Sequence, residues 1–326
     1  MVDDTRVVTE AHLRRIVTLD TQLVDMVEGA FVALAEGRVV MPPIMSVELH
    51  DRNAEIDAKT AYVSGLDSVA LKVSTGFFDN PKQGLSSLGG MVTVLSALDG
   101  SVRAVLLDRG YLTDLRTAAA GAVAARHLAP ESVSTAGVIG TGLQARLQMQ
   151  AAHLVRPFER VLVWGRDLEK AAACAADLAR DIGCEAEVCS DPNILVKRSQ
   201  LVVTTTPSFR PLVAAESLHP ELHITAMGSD APDKQELAGA CLARADLYVA
   251  DSAPQVALRG ELRAALASGD WTGGDPVELG QVITGQHPGR RHPRDITIAD
   301  LTGTGAQDTV IAQHVMDLLD RGTAAA

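Results

Sequence analysis

Four ionisable side chains stand in apolar or glycine-rich surroundings, where charge is costly. Lys59 lies in Asp57-Ala-Lys-Thr-Ala-Tyr62, Lys72 in Ala70-Leu-Lys-Val-Ser-Thr-Gly76, and Arg116 in Tyr111-Leu-Thr-Asp-Leu-Arg-Thr-Ala-Ala-Ala120. Asp230 follows Gly228. A lysine flanked by Leu71 and Val73 in a strand needs an anionic partner. Two or three such cations brought together would clamp a carboxylate. Taken singly, each also has an ordinary role, as an exposed strand-face lysine or a helix-start Arg–Asp pair.

A second cluster is built from glycine. Ser134-Thr-Ala-Gly-Val-Ile-Gly140-Thr-Gly142-Leu-Gln-Ala145 is a short strand, a glycine turn and a helix start. Gly140 permits the tight turn, Gly142 lets a pyrophosphate approach the backbone, and Ala145 fills the small position that helix–strand packing needs. The helix start offers free N–H groups to phosphate. The same glycines would also serve a purely structural turn. A second strand, Val161-Leu-Val-Trp164, ends in Gly165-Arg166-Asp167. Sites that prefer NAD place an acid at this tip, whereas a guanidinium can bind a 2′-phosphate. Arg166 therefore favours NADP(H), with NAD(H) open if Asp167 takes the acid's place; a solvated helix-start arginine is the plain alternative. Thr204-Thr205-Thr206-Pro207 and Met227-Gly228-Ser229-Asp230 end two further strands, where small polar residues line a cofactor crevice.

These residues need elements to hold them. Apolar spacing predicts a helix over Thr21 to Ala35. Short apolar runs at 44–49, 56–63, 69–75, 91–97 and 102–107 predict a mostly antiparallel sheet, with a hairpin at Asp99-Gly100. A helix capped near Thr113 and Asp114 runs to about Leu128, before Pro130. Strands at 134–139, 161–164, 201–205, 222–226, 246–250 and 295–298, with helices at 143–155, 168–182 and 255–267, predict a parallel doubly wound sheet. The expected class is α/β: a Rossmann doubly wound parallel sheet plus a smaller, mostly antiparallel α+β domain. The first domain is placed at residues 1–112 and the dinucleotide-binding domain at 113–306. A last helix, about 307–319 in a segment 307–326, is expected to pack back on the first domain. Only the tail 323–326 reads as frayed.

Bulk composition narrows the partners. Hydrophobic residues make up 47% of the 326, aromatics only 3%, so the core must be Ala, Val, Leu and Ile, which suits parallel strands under helices. The net charge of −12 argues against nucleic acid, though local cations can still reverse the field in a cleft. Cys174, Cys184, Cys189 and Cys241 have neither CxxC nor zinc spacing and read as reduced thiols, with no metal expected. The N-terminus is polar and acidic, with no signal-peptide core, and no run of about 18 apolar residues occurs. The expected location is cytoplasmic.

The order and spacing of several stretches resemble the ornithine cyclodeaminase/μ-crystallin superfamily over nearly the whole chain. They are Leu71-Lys-Val-Ser, Thr113-Asp-Leu-Arg-Thr-Ala-Ala-Ala120, Gly137-Val-Ile-Gly-Thr-Gly-Leu-Gln-Ala145, Thr204-Thr-Thr-Pro207, and Ala226-Met-Gly-Ser-Asp230 leading to Lys234, Glu236 and Leu237. Asp57-Ala-Lys-Thr-Ala-Tyr62 and Lys72-Val-Ser-Thr-Gly-Phe-Phe-Asp-Asn-Pro81 look most like the branch named for ectoine utilisation. The resemblance implies that Lys72 and Arg116 hold a substrate carboxylate, with Lys59 supporting them. It implies that Asp230 is the general acid/base beside the substrate nitrogen, and that the protein is a homodimer joined through its first domain. Asp300-Leu-Thr-Gly-Thr-Gly305 departs from the run found in many relatives. The catalytic candidates are Asp230 and Lys72. The cofactor-binding candidates are Thr113, Gly140, Thr141, Gly142, Leu143, Gln144, Arg166, Thr205, Thr206, Met227, Gly228 and Gly303.

Three functions use this set. The first is NAD(P)H-dependent reduction of an α-imino acid, linear or cyclic, to an amino acid. The second is deaminating cyclisation of a diamino acid with the cofactor recycled in the site. The third is a non-catalytic NADPH-binding protein of μ-crystallin type, against which the retention of Lys72, Arg116 and Asp230 argues. The first is the leading expectation, because Arg166 favours a cofactor that cells keep reduced.

Overall fold

The structure, a computed structural model, describes residues 5–324; residues 325 and 326 of the frayed-tail expectation, like residues 1–4, lie outside the described residues. The chain forms two compact units. Unit one contains the residues up to Leu19, Gly29–Arg116, and the chain from Thr304 onward. Unit two contains Asp20–Glu28 and Thr117–Gly303.

Unit one is a seven-stranded mixed sheet. Its order is Arg6–Thr9, Val102–Leu107, Leu88–Ser96, Ser68–Phe77, Ala54–Val63 and Val39–Val40, with Met45–Leu49 also paired to Ala54–Val63. Only the first pair is parallel. The expected turn at Asp99-Gly100 closes the hairpin, with Gly100 at φ +76° and Ser101 N donating to Asp99 Oδ1. From Ser68 to Lys72 burial alternates: Ser68, Ala70 and Lys72 are buried and Leu71 is exposed, whereas Ser74 beyond them is half-buried. The buried face carries the helix Gly305–Ala324, whose Thr309 hydroxyl donates to Ala61 O. That helix can approach closely because Gly305 lacks a side chain; a Cβ there would stand 2.6 Å from Thr60 O.

Unit two is an eight-stranded, wholly parallel sheet. The order is Glu185–Val188, Arg160–Trp164, Thr135–Ile139, Leu201–Thr204, His223–Ala226, Thr297–Asp300, Leu247–Ala250 and Val277–Glu278. Its inner strands are buried on both faces, with Val, Leu, Ile and Ala side chains forming the core on either side, while the edge strands Glu185–Val188 and Val277–Glu278 are exposed or half-buried. Strand order reverses between Thr135–Ile139 and Leu201–Thr204, the place where open α/β sheets bind ligands at their carboxyl ends.

The helices Leu143–Val155 and Leu168–Ile182 match the spacing read from sequence. The single helix expected at 255–267 is instead two, Ala253–Val256 and Gly260–Ser268. The break has a tertiary cause. Gly260 sits at φ +76°, and a Cβ there would lie 2.7 Å from the Asp300 carboxylate, which instead accepts from Glu261 N. The strand expected at 295–298 is shifted to Thr297–Asp300, because Asp295 closes a turn before it, its Oδ2 accepting from Arg291 N and His292 N. Among the described residues, no helix is long and apolar enough to cross a membrane.

Candidate active site

The expected dinucleotide site is in unit two. Gly140 follows the central strand at φ +129°, where a Cβ would stand 2.3 Å from Thr205 Oγ1. The backbone of Thr205 returns a bond to this strand, its N–H donating to Ile139 O at 2.8 Å. Gly142 is the N-cap of Leu143–Val155, with no side-chain cap, and nothing lies within 4 Å of where its Cβ would be. The open space and uncapped N–H groups are what a pyrophosphate requires. Thr141 O accepts from Arg146 Nη1 at 2.6 Å, which fixes the turn from behind. Leu143 is exposed, and Gln144 accepts from Gln148 Nε2. These residues fit a dinucleotide.

The adjoining tip, after Arg160–Trp164, carries Arg166 exposed to solvent. Asp167 is committed elsewhere: its Oδ1 caps Leu168–Ile182, accepting from Glu169 N at 3.0 Å and Lys170 N at 3.1 Å.

One buried carboxylate ties two further strand tips together. Glu236 accepts from Thr206 N at 2.5 Å, Thr206 Oγ1 at 2.7 Å, Thr204 Oγ1 at 2.6 Å and Gly228 N at 2.8 Å. Burial pushes its carboxyl above the ordinary value, against these four bonds. Its own backbone N–H is held by Glu261, whose N–H is held in turn by Asp300. Met227 N donates to Thr204 O. Gly303, at φ +83°, donates to Asp251 Oδ2 at 2.6 Å. Asp230 emerges just beyond the Glu236-held loop. Its Oδ1 pairs with Lys234 Nζ at 2.6 Å, and its side chain is about half exposed.

The three cations lie in unit one, with Thr113 half-buried on the helix Tyr111–Leu128. Lys59 and Lys72 are direct cross-strand partners. Lys72 is buried, and its Nζ lies 3.0 Å from Asp308 Oδ1 and 2.9 Å from Oδ2. Arg116, also buried, donates from Nε to Asp308 Oδ1 at 3.0 Å and from Nη1 to Gln307 Oε1 at 3.2 Å. Asp308 stands in the first turn of Gly305–Ala324, where the helix dipole favours an anion. Burial lowers Lys72 to about 7, with the Arg116 and Lys59 charges adding to that and Asp308 opposing it. Burial pushes Asp308 the other way, but Lys72, Arg116 and Lys59 together hold it below the usual carboxylate range. Among the described residues, three buried polar atoms of this group have no hydrogen-bond partner: Gln307 Nε2, Thr304 Oγ1 and Asp308 Oδ2, the last in ionic contact with Lys72. A buried donor left unmade costs about 1–3 kcal/mol, so such atoms are expected where a ligand completes them.

Sequence reasoning thus located the cations and the glycine turn, but not Asp308, Gln307 or Glu236. Asp308 carried one usable signal, an acid in the first turn of an otherwise apolar helix. Glu236 stood in a matching stretch without an assigned role.

A doubly wound parallel sheet with an open glycine turn at its switch point defines a dinucleotide-binding enzyme of the Rossmann class. The ornithine cyclodeaminase/mu-crystallin family profile matches residues 4–323, and the chain belongs to that family. A provisionally named dehydrogenase of Rhizobium meliloti (strain 1021) is 52% identical over 308 residues, covering 94% of this chain and 93% of that protein. A Sinorhizobium fredii (strain NBRC 101917 / NGR234) protein named as an uncharacterized cyclodeaminase is 50% identical over 310 residues, with 94% and 93% covered. Among solved structures, Thermococcus litoralis Δ1-pyrroline-2-carboxylate reductase with NADH and L-proline has a TM-score of 0.92 at 25% identity, covering 98% of both chains. The iminosuccinate reductase of Paracoccus denitrificans with NAD+ has a TM-score of 0.90 at 32% identity, covering 98% of this chain and 97% of that one. The names of these relatives include both reduction and cyclodeamination.

Proposed function

We propose that the protein reduces an α-imino acid, linear or cyclic, to the corresponding amino acid with NADPH. The observation that carries this is the buried Lys72–Arg116 pair, with unpartnered Gln307 and Thr304 atoms beside it. Two buried cations sharing one internal carboxylate leave net positive charge, which suits a substrate carboxylate. Relatives that reduce imino acids and bind NAD(H) support the class of reaction.

Gly140, Thr141, Gly142 and the first turn of Leu143–Val155 would hold the dinucleotide's phosphates, and Thr205, Thr206, Met227 and Gly228 would line its nicotinamide end. When bound, the reduced nicotinamide supplies hydride to the imine carbon. Lys72 and Arg116 hold the substrate carboxylate, with Lys59 adding positive charge beside them. Asp230 acts as the general acid/base that relays a proton to the imine nitrogen, so that the C=N bond gains one hydride at carbon and one proton at nitrogen. Asp230 is suited to exchange that proton with solvent because it is half exposed. NADPH rather than NADH is assigned on Arg166, exposed at the strand tip, and on Asp167, whose carboxylate is spent on a helix cap instead of a ribose. A place in ectoine or hydroxyectoine breakdown rests on the Asp57–Tyr62 and Lys72–Pro81 stretches alone.

The protein is assigned as a homodimer through unit one. The sheet face opposite Gly305–Ala324 exposes Val7, Met45, Tyr62, Leu71, Met91 and Leu107, an apolar surface that a second copy would cover. Sedimentation should give a dimer mass, and Leu71→Lys should give a monomer; a monomeric wild type refutes the assignment.

Cyclodeamination is the second reading, since it needs the same residues and one 50%-identical relative is named for it. The two are separated by incubation with NADPH and iminosuccinate, pyrroline-2-carboxylate or pyruvate plus an amine, then with diamino acids and catalytic NAD. Stoichiometric loss of reduced-nicotinamide absorbance with an imine is the expected result. Ammonia release from a diamino acid without net cofactor loss would replace reduction by cyclodeamination, and tight NADPH binding with no turnover would replace both by a binding protein.

A further inference from the structure

Lys72 and Arg116, the cations of the proposed carboxylate anchor, both grip a residue of their own chain. Asp308 touches Lys72 with both carboxylate oxygens and takes the Nε edge of Arg116. Gln307, one residue earlier on the same helix turn, takes Arg116 Nη1 through Oε1, and the same oxygen accepts from Thr304 N at 3.3 Å. Neither bond uses the Nη2 amino group of Arg116, and Lys72 retains ammonium protons beyond those directed at Asp308. A guanidinium held at Nε and Nη1 cannot rotate about its stem, so the direction of its remaining donors is fixed.

We propose that Asp308 and Gln307 are the positioning residues of the carboxylate anchor: Asp308 keeps the Lys72 ammonium charged and, with Gln307, turns the Arg116 guanidinium so that its Nη2 edge and the unpartnered Gln307 Nε2 meet the substrate carboxylate. This rests on the carboxylate-anchor reading of Lys72 and Arg116. Asp308 acts through these cations rather than by touching substrate, its Oδ1 accepting from both and its Oδ2 lying 2.9 Å from Lys72 Nζ. It also explains why a helix from the far end of the chain begins at this point with Gly305, whose missing side chain lets that turn sit against Thr60.

The charges that face Lys72 set the direction of its pH response. They are Asp308 from Gly305–Ala324, Arg116 from Tyr111–Leu128, Lys59 from Ala54–Val63, and Asp108 beyond Val102–Leu107. Burial lowers Lys72 to about 7, and Asp308 is the partner that opposes this. The charged form of Lys72 binds a carboxylate. Affinity is therefore retained below that pH and lost as pH rises through it, and removing Asp308 moves the loss to lower pH.

The test is the pH dependence of kcat/KM for the imino acid in the wild type and in Asp308→Asn, Asp308→Glu and Gln307→Leu, with Arg116→Met alongside. Asp308→Asn is expected to raise KM by about tenfold or more, since a charged hydrogen-bond partner is lost. It should lower kcat less, leave NADPH affinity unchanged, and move the basic limb to lower pH, with Asp308→Glu recovering part of each. Gln307→Leu, which changes no charge, should raise KM several-fold without moving the limb. Should Asp308→Asn fail to fold, Gln307→Leu decides: a raised KM with kcat and NADPH affinity intact supports the proposal, and an unchanged KM overturns it. A folded Asp308→Asn with wild-type KM and pH limb also overturns it. If Arg116→Met itself leaves KM unchanged, the anchor reading has failed; if it raises KM while the Asp308 and Gln307 variants do not, only the positioning roles have failed.

Discussion

Arg116→Met is expected to raise the KM for the imino acid by about two to three orders of magnitude, because truncating one partner of a buried charged contact costs about 2–5 kcal/mol and each 1.4 kcal/mol is tenfold. Methionine fills much of the arginine stem's space, so the change acts mainly on charge and donors. Arg116 sits with buried Lys72 and Asp308 and half-buried Lys59, and its loss frees Asp308 Oδ1 from the guanidinium. Asp308 then pairs with Lys72 alone, which weakens the positive field twice over. NADPH affinity should stay near the wild-type value, since the glycine turn and its phosphate-binding N–H groups belong to the other unit. Steady-state kinetics and a cofactor fluorescence titration measure both quantities. A KM within a few-fold of wild type would remove Arg116 from the anchor.

The second large effect falls on kcat. Asp230→Asn is expected to lower kcat by about 10²–10⁴-fold, the usual share of a positioned general acid/base, while NADPH binding and the KM for the imino acid change little. Asparagine has the shape of aspartate but cannot release or take up the proton. The fold should tolerate it. Asp230 is about half exposed, and its ion pair with Lys234 is of the surface kind that contributes at most about 1 kcal/mol. Single-turnover measurement with NADPH already bound isolates the step. A kcat within a few-fold of wild type would pass the proton role to another group, with Lys72 first in line because burial sets it near neutrality.

The fold and the site were legible in the sequence to different depths. The Rossmann half could be read because its constraints are local. Only glycine accepts φ +129° at position 140 with Thr205 so close, and the helix that follows has its own apolar period. The antiparallel unit was legible for a similar reason, since alternation from Ser68 to Lys72 and the Asp99-Gly100 turn act within a few residues. What failed to show depends on distant partners. The break at Gly260 follows from a carboxylate 40 positions later, at Asp300. Lys72 could be seen to need an anion, but not that Asp308, 236 positions away, supplies one. Glu236 looked like any acid in a loop until four donors from two strand tips converged on it. Short edge strands such as Glu185–Val188 and Val277–Glu278 were missed because two to four residues carry no readable period.

The central claim is that hydride leaves with the product. The direct measurement supplies NADPH carrying deuterium at the transferable position, together with iminosuccinate, pyrroline-2-carboxylate or the imine of pyruvate, and reads the amino acid by mass spectrometry. One deuterium on the α-carbon for each cofactor oxidised is the expected result. Unlabelled amino acid, or a cofactor that keeps its label while a diamino acid loses ammonia, would contradict it.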